Sequence, residues 1–173
     1  MTLCLVGVAS ATPLQWATFR SPEGRFSVSV FGKPETKVSH TSTPVGGFDQ
    51  HSFTWVQGDI ECDLAYSDVP SLSTLGGGRI LFDEVARGFK NRMHEPVKNE
   101  TAWKFQSNPG RSFEFHRAKL GKQVAQCGMV RSTLVKNRLY VLIVTWDRNA
   151  IPDSAADATH FFDSFTVDAP KPE

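Results

Sequence analysis

Five histidines and three cysteines carry most of the reactive chemistry this chain could have, and their spacing assembles none of it. His40, His51, His94, His116 and His160 form no H-x-x-x-H pair, and no C-x-x-C is present. The short-range ligand spacing of a structural zinc site is therefore missing. A composite site from His51, His116 and acidic neighbours needs geometry that spacing does not supply, and solvated or capping histidine is the ordinary reading. Serine is plentiful, but no G-x-S-x-G elbow occurs, and Cys127 has no flanking signature of a nucleophile. Gly76-Gly77-Gly78 precedes a helical pattern, where backbone amides can hold an anion. Neither Lys-Ser nor Lys-Thr follows, so a flexible entry loop is the plainer meaning. Asp83-Glu84 falls on the polar side of that helix, where charge usually serves solvation. Asn99-Glu100-Thr101 fits a glycosylation sequon, relevant to an exported chain in a eukaryotic host. No catalytic, cofactor or metal residue is assigned.

Two weaker constellations remain. Cys62 and Cys127 could form a disulfide, since Cys4 falls in a leader-like segment. The bridge would close a loop of about 65 residues and stabilise by ~4 kcal/mol in the loop-entropy model. The competing reading is two buried thiols acting as small hydrophobes. A bridge requires their two inward-facing strands to be neighbours or to face one another across a fold. Among Trp16, Trp55, Trp103 and Trp146, core packing accounts for Trp55 and Trp146. Trp103, with Lys104 and Arg111 near it in sequence, is the candidate exposed contact patch.

The elements that must position these residues are clearer. The chain has 173 residues, 40% hydrophobic and 21% charged, with a formal net charge of +1. That suits one globular domain. It offers no basic footprint for nucleic acid or an anionic surface, and no apolar run approaches the ~20 residues of a transmembrane helix. Leu3 to Val8 is apolar and ends at Ala9-Ser10-Ala11, the tail of a secretory signal peptide. No Lys or Arg precedes Arg20, so the positive n-region is missing, and an apolar first strand is the other reading. The expected organisation is a leader remnant over 1–11, one domain over 12–168 and a frayed tail over 169–173, placing the protein in a secreted or periplasmic setting.

Ser21-Pro22-Glu23-Gly24 reads as a turn, followed by a half-buried strand with Phe26, Val28 and Val30 inward. Thr41 to Gly47 reads as a loop and Phe48 to Val56 as a strand. Gln57-Gly58-Asp59 is a turn, and Ile60, Cys62, Leu64 and Tyr66 then alternate cleanly with Glu61, Asp63 and Ala65, implying one wet face. Ser73 or Thr74 is positioned to cap a helix whose stripe is Leu81, Phe82, Val85, Phe89 and Met93, ended by Pro96. Ala102 to Gln106 reads as a strand, Asn108-Pro109-Gly110 as a turn, and Phe113 and Phe115 as the start of another strand, closing at a hairpin near Leu120-Gly121-Lys122. Gln123 to Val135 is extended and Lys136-Asn137 a turn. Leu139 to Trp146 is nearly all apolar and belongs at the sheet centre. Ser154-x-x-Asp157 resembles a capping box, with Ala155, Ala158, Phe161, Phe162 and Phe165 inward. The expectation is an α+β domain: a mainly antiparallel sheet of about seven strands sandwiched by helices.

Ser21-Pro22-x-Gly24-x-Phe26-Ser27-Val28, Gly32-x-Pro34, Tyr66-x-Asp68-x-Pro70, Pro109-Gly110-Arg111, Arg138-Leu139-Tyr140 and Phe161-Phe162-Asp163-Ser164-Phe165 occur in that order. On these residues the chain resembles the PsbP-like superfamily. That superfamily includes an extrinsic photosystem II subunit, a nuclear-import accessory factor and many small exported bacterial proteins. The resemblance implies the sheet-and-helix sandwich and an accessory or binding role. It implies no cofactor and no active site, and no family contact transfers to a residue here. The functional expectation is an exported, non-enzymatic domain that binds a protein or small-molecule partner. The alternative is a hydrolase or metal-dependent enzyme with a non-local site.

Overall fold

The first and last strands among the described residues flank the second. In the computed structural model, which describes residues 15–43, 46–74, 78–93, 95–117, 125–148 and 151–168, β1 (Ala17–Ser21), β2 (Phe26–Val30) and β10 (Thr166–Val167) form a small antiparallel sheet with β2 in the middle. The Asp168 amide donates to the Arg25 carbonyl (2.9 Å), so the opening turn is held by the closing segment. The leader-like residues 1–11 and the tail 169–173 lie outside the described residues, as do His94 and the hairpin expected near Leu120-Gly121-Lys122.

The second sheet has seven strands in the order β3 (Glu35–Thr43), β4 (Gly46–Gln57), β5 (Ile60–Asp68), β9 (Arg138–Asp147), β8 (Gln126–Val135), β7 (Asn108–Arg117) and β6 (Lys98–Phe105), all antiparallel. The apolar β9 is its central strand, as its composition requires. The strand count of seven matches, but through an exchange. β2 belongs to the small sheet, and its place is taken by β3, whose Glu-Thr-Lys-Val-Ser-His-Thr-Ser-Thr shows no apolar alternation. An edge strand needs none. The loop expected over Thr41 to Gly47 contracts to two residues between β3 and β4.

Each face of the large sheet has its own cover. Tyr66, Tyr140, Leu142, Val144 and Trp55 point toward the small sheet and toward α2 (Ile151–Ser164), whose Ala158, Phe161 and Phe162 complete that core with Phe165 just beyond the helix. Ala155 is exposed, against expectation. The helix also begins three residues before the anticipated cap at Ser154. Pro152 costs little there, because the first turn needs no amide donor. On the opposite face α1 (Arg79–Met93) lays Leu81, Phe82, Ala86 and Phe89 over Leu134, Leu139, Phe113, Phe115 and Val130. Thr74 does not cap α1; its hydroxyl donates to the Ser71 carbonyl (2.7 Å) and closes a short 3-10 turn at Ser71–Thr74.

Three hairpins turn through left-handed backbone at their first loop residue: Gly58 (φ 60°), Gln106 (φ 55°) and Lys136 (φ 57°). Tight hairpins favour that conformation because it matches strand twist. The expected turn at Asn108-Pro109-Gly110 therefore moves back to Gln106-Ser107, and Asn108 opens β7. Gly110 serves close approach: a Cβ there would stand 2.5 Å from the Ser132 carbonyl oxygen and 2.8 Å from the Trp103 ring. No helix among the described residues is long and apolar enough to cross a membrane.

Candidate functional site

The motif residues that read as weak turn and core positions converge on one guanidinium. Arg138, at the start of β9, donates from Nε to Asp68 Oδ1 (2.7 Å), from one terminal nitrogen to Asp68 Oδ2 (2.5 Å) and from the other to the Glu23 carbonyl (2.6 Å). Its carbon lies 4.7 Å from the centroid of Tyr66, and the His51 ring stacks on Tyr66 with centroids 4.7 Å apart, nearly parallel. The Tyr140 hydroxyl donates to the Gly24 carbonyl (2.8 Å), and the Gly24 amide donates to Ser21 Oγ (3.0 Å). The Arg138 side chain is only 9% exposed while Asp68 is half open. Its hydrogen bonds hold the Asp68 carboxyl below the usual carboxylate range. All three nitrogens are spent, so this is a clamp tying the β1–β2 turn to the large sheet rather than an anion site.

The other face carries a different carboxyl. Asp63 projects from β5 on the α1 side and accepts from Thr54 Oγ1 of β4 (2.5 Å). Burial raises its pKa to about 6. The Thr54 hydrogen bond and the Arg92 charge oppose that rise, while Glu61, two residues away on the same face, adds to it. Asp63 looked like a plain polar position in an alternating strand, and only the density of neighbours around it makes it a site.

Toward β3 and the Val56 end of β4 this face is less covered, although Ala65 and Ser67 further along β5 are buried and Phe48 of β4 packs with the α1 cluster. α1 packs over β7, β8 and β9. On the same side β4 shows half-buried Ser52 and Thr54 and Val56 at 63% exposure, and β3 shows exposed Glu35 and Lys37. The result is a flat surface of hydroxyls, carboxyls and one bare valine, walled on one side by the helix. Single-sided cover is what an antiparallel sheet tolerates.

The expected patch of Trp103, Lys104 and Arg111 does not assemble. Trp103 and Lys104 are consecutive in β6 and point to opposite faces. Arg111 lies opposite Ala102 and pairs on the α1 side with Asp83 and with Glu100 (2.8 Å). Asp83 thus holds a strand to the helix rather than only solvating it. Trp103 is half-buried on the α2 side, where the Arg131 guanidinium sits between it (5.4 Å) and Phe162 (4.7 Å) and pairs with Asp163 (3.1 Å). A lone arginine inside apolar β8 was the available signal for this contact.

The disulfide does not form either. Cys62 and Cys127 are buried free thiols. They sit on β5 and β8, and β9 runs between them. Two strand spacings are roughly 10 Å, beyond the ~7 Å Cα separation a bridge allows. Burial pushes both thiols up. Cys127 Sγ lies 3.2 Å from His116 Nδ1, a cross-strand pair.

The other histidines are also separated. His51 and His116 stand on β4 and β7 with three strands between them, roughly 19 Å apart, so the composite metal site does not gather. His40 Nδ1 engages Asp49 (2.8 Å), and His160 engages Ser29 (3.1 Å) against Trp16. No group of three or more metal-ligating side chains occurs among the described residues. Gly76 and Gly77 lie outside the described residues. Asn99, of the sequon, is exposed, and its amide donates to Glu114 (2.9 Å).

No protein-family model and no curated protein sequence matches the chain. Solved structures do. A cyanobacterial PsbP (CyanoP) from Synechocystis sp. PCC 6803, a solution structure, is 12% identical, covers 94% of this chain and 98% of its own, and superposes with a TM-score of 0.59. A protein of unknown function from Pseudomonas aeruginosa, PA94, described as a putative regulator, is 9% identical over 91% of this chain and 99% of its own, at a TM-score of 0.47. At such identities the likeness speaks for architecture alone, and with the seven-stranded sheet, its small partner sheet and two helices it shows that this chain has a PsbP-like α+β fold.

Proposed function

We propose that the chain is an exported, non-enzymatic accessory domain that binds a protein or small-molecule partner on the open face of β3, β4 and β5. The observation that carries this reading is the uneven cover of the large sheet: one face is roofed by the small sheet and α2, while on the other α1 and its cluster lie over β7, β8 and β9 and reach β4 only at Phe48, leaving Glu35, Lys37 and Val56 exposed and Ser52 and Thr54 half-buried. A surface of hydroxyls flanked by charges, with Val56 bare at its end, suits a polar partner interface with a small apolar contact. Export rests on the apolar Leu3 to Val8 run and the Ala9-Ser10-Ala11 triplet.

The test is capture of partners from the native envelope fraction with the parent chain and with Ser52→Arg, which places a long charged side chain on the platform. Partners held by the parent and lost by the variant support the reading. Equal capture by both places the interface elsewhere. A rival reading, hydrolytic enzyme, has one observation in its favour. A carboxyl whose pKa is near 6 is suited to general acid–base work at neutral pH. Turnover in a broad hydrolase screen, abolished by Asp63→Asn, would replace the binding reading with this one.

A further inference from the structure

The two edges of the seven-stranded sheet are finished differently. At β6 the register slips between Lys98 and Thr101, and Asn99 adopts left-handed backbone (φ 51°). Lys98, Glu100 and Lys104 add charge along that strand. Bulges and charges of this kind are what keep an edge from pairing with another chain. β3 carries fewer: it has no slip, and its charges are Glu35 and Lys37, both within its first three residues. It pairs with β4 without a slip from Glu35 opposite Thr54 to Thr43 opposite Gly46. It contains no proline, and past Lys37 its one ionisable side chain is His40, already engaged by Asp49. Val38, near its middle, is 61% exposed.

The outward-facing backbone groups follow from the register. Only two residues join β3 to β4, so Thr43 and Gly46 close the hairpin as a hydrogen-bonded pair. Antiparallel pairs alternate, so residues 41, 39, 37 and 35 also bond inward to β4. The amide and carbonyl groups of Thr36, Val38, His40 and Ser42 therefore face away from the sheet, and among the described residues no strand neighbours that edge.

We propose that β3 is a homodimer interface, two copies pairing antiparallel about a two-fold axis at Ser39. Ser39 is the midpoint of β3, so this register pairs the whole strand. It sets Val38 opposite the second copy's His40, and Thr36 opposite the second copy's Ser42, which are the residues whose backbone groups face outward on both copies. Exposed Val38 is then covered by an imidazole ring. Glu35 meets Thr43 and Lys37 meets Thr41 of the second copy, so no like charges oppose each other. A register centred on Lys37 would set that lysine against itself, which is unfavourable. The axis stands perpendicular to the sheet, and both copies present their open faces on the same side. The pairing does not depend on the binding reading above. One strand edge buries less than the ~1,600 Å² of a standard stable interface, so the dimer is weak and concentration-dependent.

Sedimentation velocity on the purified chain from about 1 μM to about 1 mM, a range that spans weak complexes, should show the mass double as concentration rises. Over the same range amide exchange should slow at 36, 38, 40 and 42 and stay unchanged at 37, 39 and 41. Val38→Pro deletes an outward amide without touching the ladder to β4, a placement edge strands accept. It should leave the far-UV spectrum and melting of the dilute protein unchanged and abolish the dimer. Val38→Lys, a charged edge residue, should weaken the dimer at least tenfold and is the variant to read if the proline chain does not fold. A chain that stays monomeric throughout, a dimer that survives both substitutions, or protection at the odd-numbered amides overturns the proposal.

Discussion

Asp63 and Asp68 lie five residues apart on one strand and titrate in opposite directions. Asp68 faces the small sheet and meets a guanidinium committed to it through two hydrogen bonds, and its carboxyl is held low. Asp63 faces α1, has a hydroxyl for a partner and another carboxylate close by, and is pushed up. Neither difference is visible in the residue type. An odd spacing within a strand puts two side chains on opposite faces, and the face decides the partner. The low carboxyl belongs to a joint that holds the molecule together. The high one sits on the α1 face, where burial and the neighbouring Glu61 raise it against the pull of Thr54 and Arg92.

The largest break in this comparison should come from Arg138→Met. It takes the Arg138 donor from the Glu23 carbonyl and from both Asp68 oxygens while keeping similar volume. The pair is partly open at Asp68, so the loss should be about 3 kcal/mol, the lower end for breaking a buried pair. Urea denaturation of the variant and of Asp68→Asn, alone and combined, measures the coupling. A loss under about 0.5 kcal/mol for Arg138→Met would reduce the clamp to an ordinary surface pair.

The next effect is smaller and has the opposite sign. A carboxyl raised in the folded state binds protons more tightly there than in the unfolded chain. Its contribution therefore falls as pH climbs from the ordinary value of 3.8 to about 6 and stays unfavourable above. Asp68, held low, does the reverse: its contribution is present above the ordinary carboxylate value and is lost as pH falls through the folded one. Asp63→Asn keeps an acceptor for Thr54 and removes the charge. Its melting temperature at pH 7 should exceed the parent's, and the difference should vanish near pH 4. A variant that melts lower than the parent at pH 7 would show that Asp63 is held as a stabilising anion, like Asp68.

Lys136→Gly should act least and far from either carboxyl's chemistry. Lys136 spends left-handed strain at the hairpin that delivers Arg138, and the Asn137 carbonyl beside it accepts the Val69 amide (2.8 Å). Glycine removes the strain and adds unfolded-state freedom, for a net gain of about 0.5 kcal/mol in thermal or urea unfolding. A loss instead would mean that the lysine side chain itself supports the turn.

Much of the architecture was legible in composition and period. The alternation of Ile60, Cys62, Leu64 and Tyr66, the apolar run of β9 and the α1 stripe each describe a surface that must be buried, and each is buried as its period demands. Ser21, Gly24, Tyr66, Asp68, Arg138 and Tyr140 were legible as recurring residues but not as a cluster, because they come from chain segments far apart and meet only when β5 pairs with β9. β3 was hidden by its polarity. Asn108-Pro109-Gly110 misled because proline and glycine also open strands and admit close neighbours, here the Trp103 ring.

By itself the sequence determined local state: which stretches are helix or strand and which side of each is apolar, since both follow from side-chain spacing along one segment. Tertiary structure alone decided who meets whom. It put β9 between Cys62 and Cys127, sent Trp103 and Arg111 to opposite faces, gave Arg138 to Asp68 and a hydroxyl to Asp63, and left β3 at the edge of the sheet. Strand order and register set those outcomes. They arise from the burial of the whole chain at once, and a shift of one residue in pairing would carry every one of these side chains to the other face.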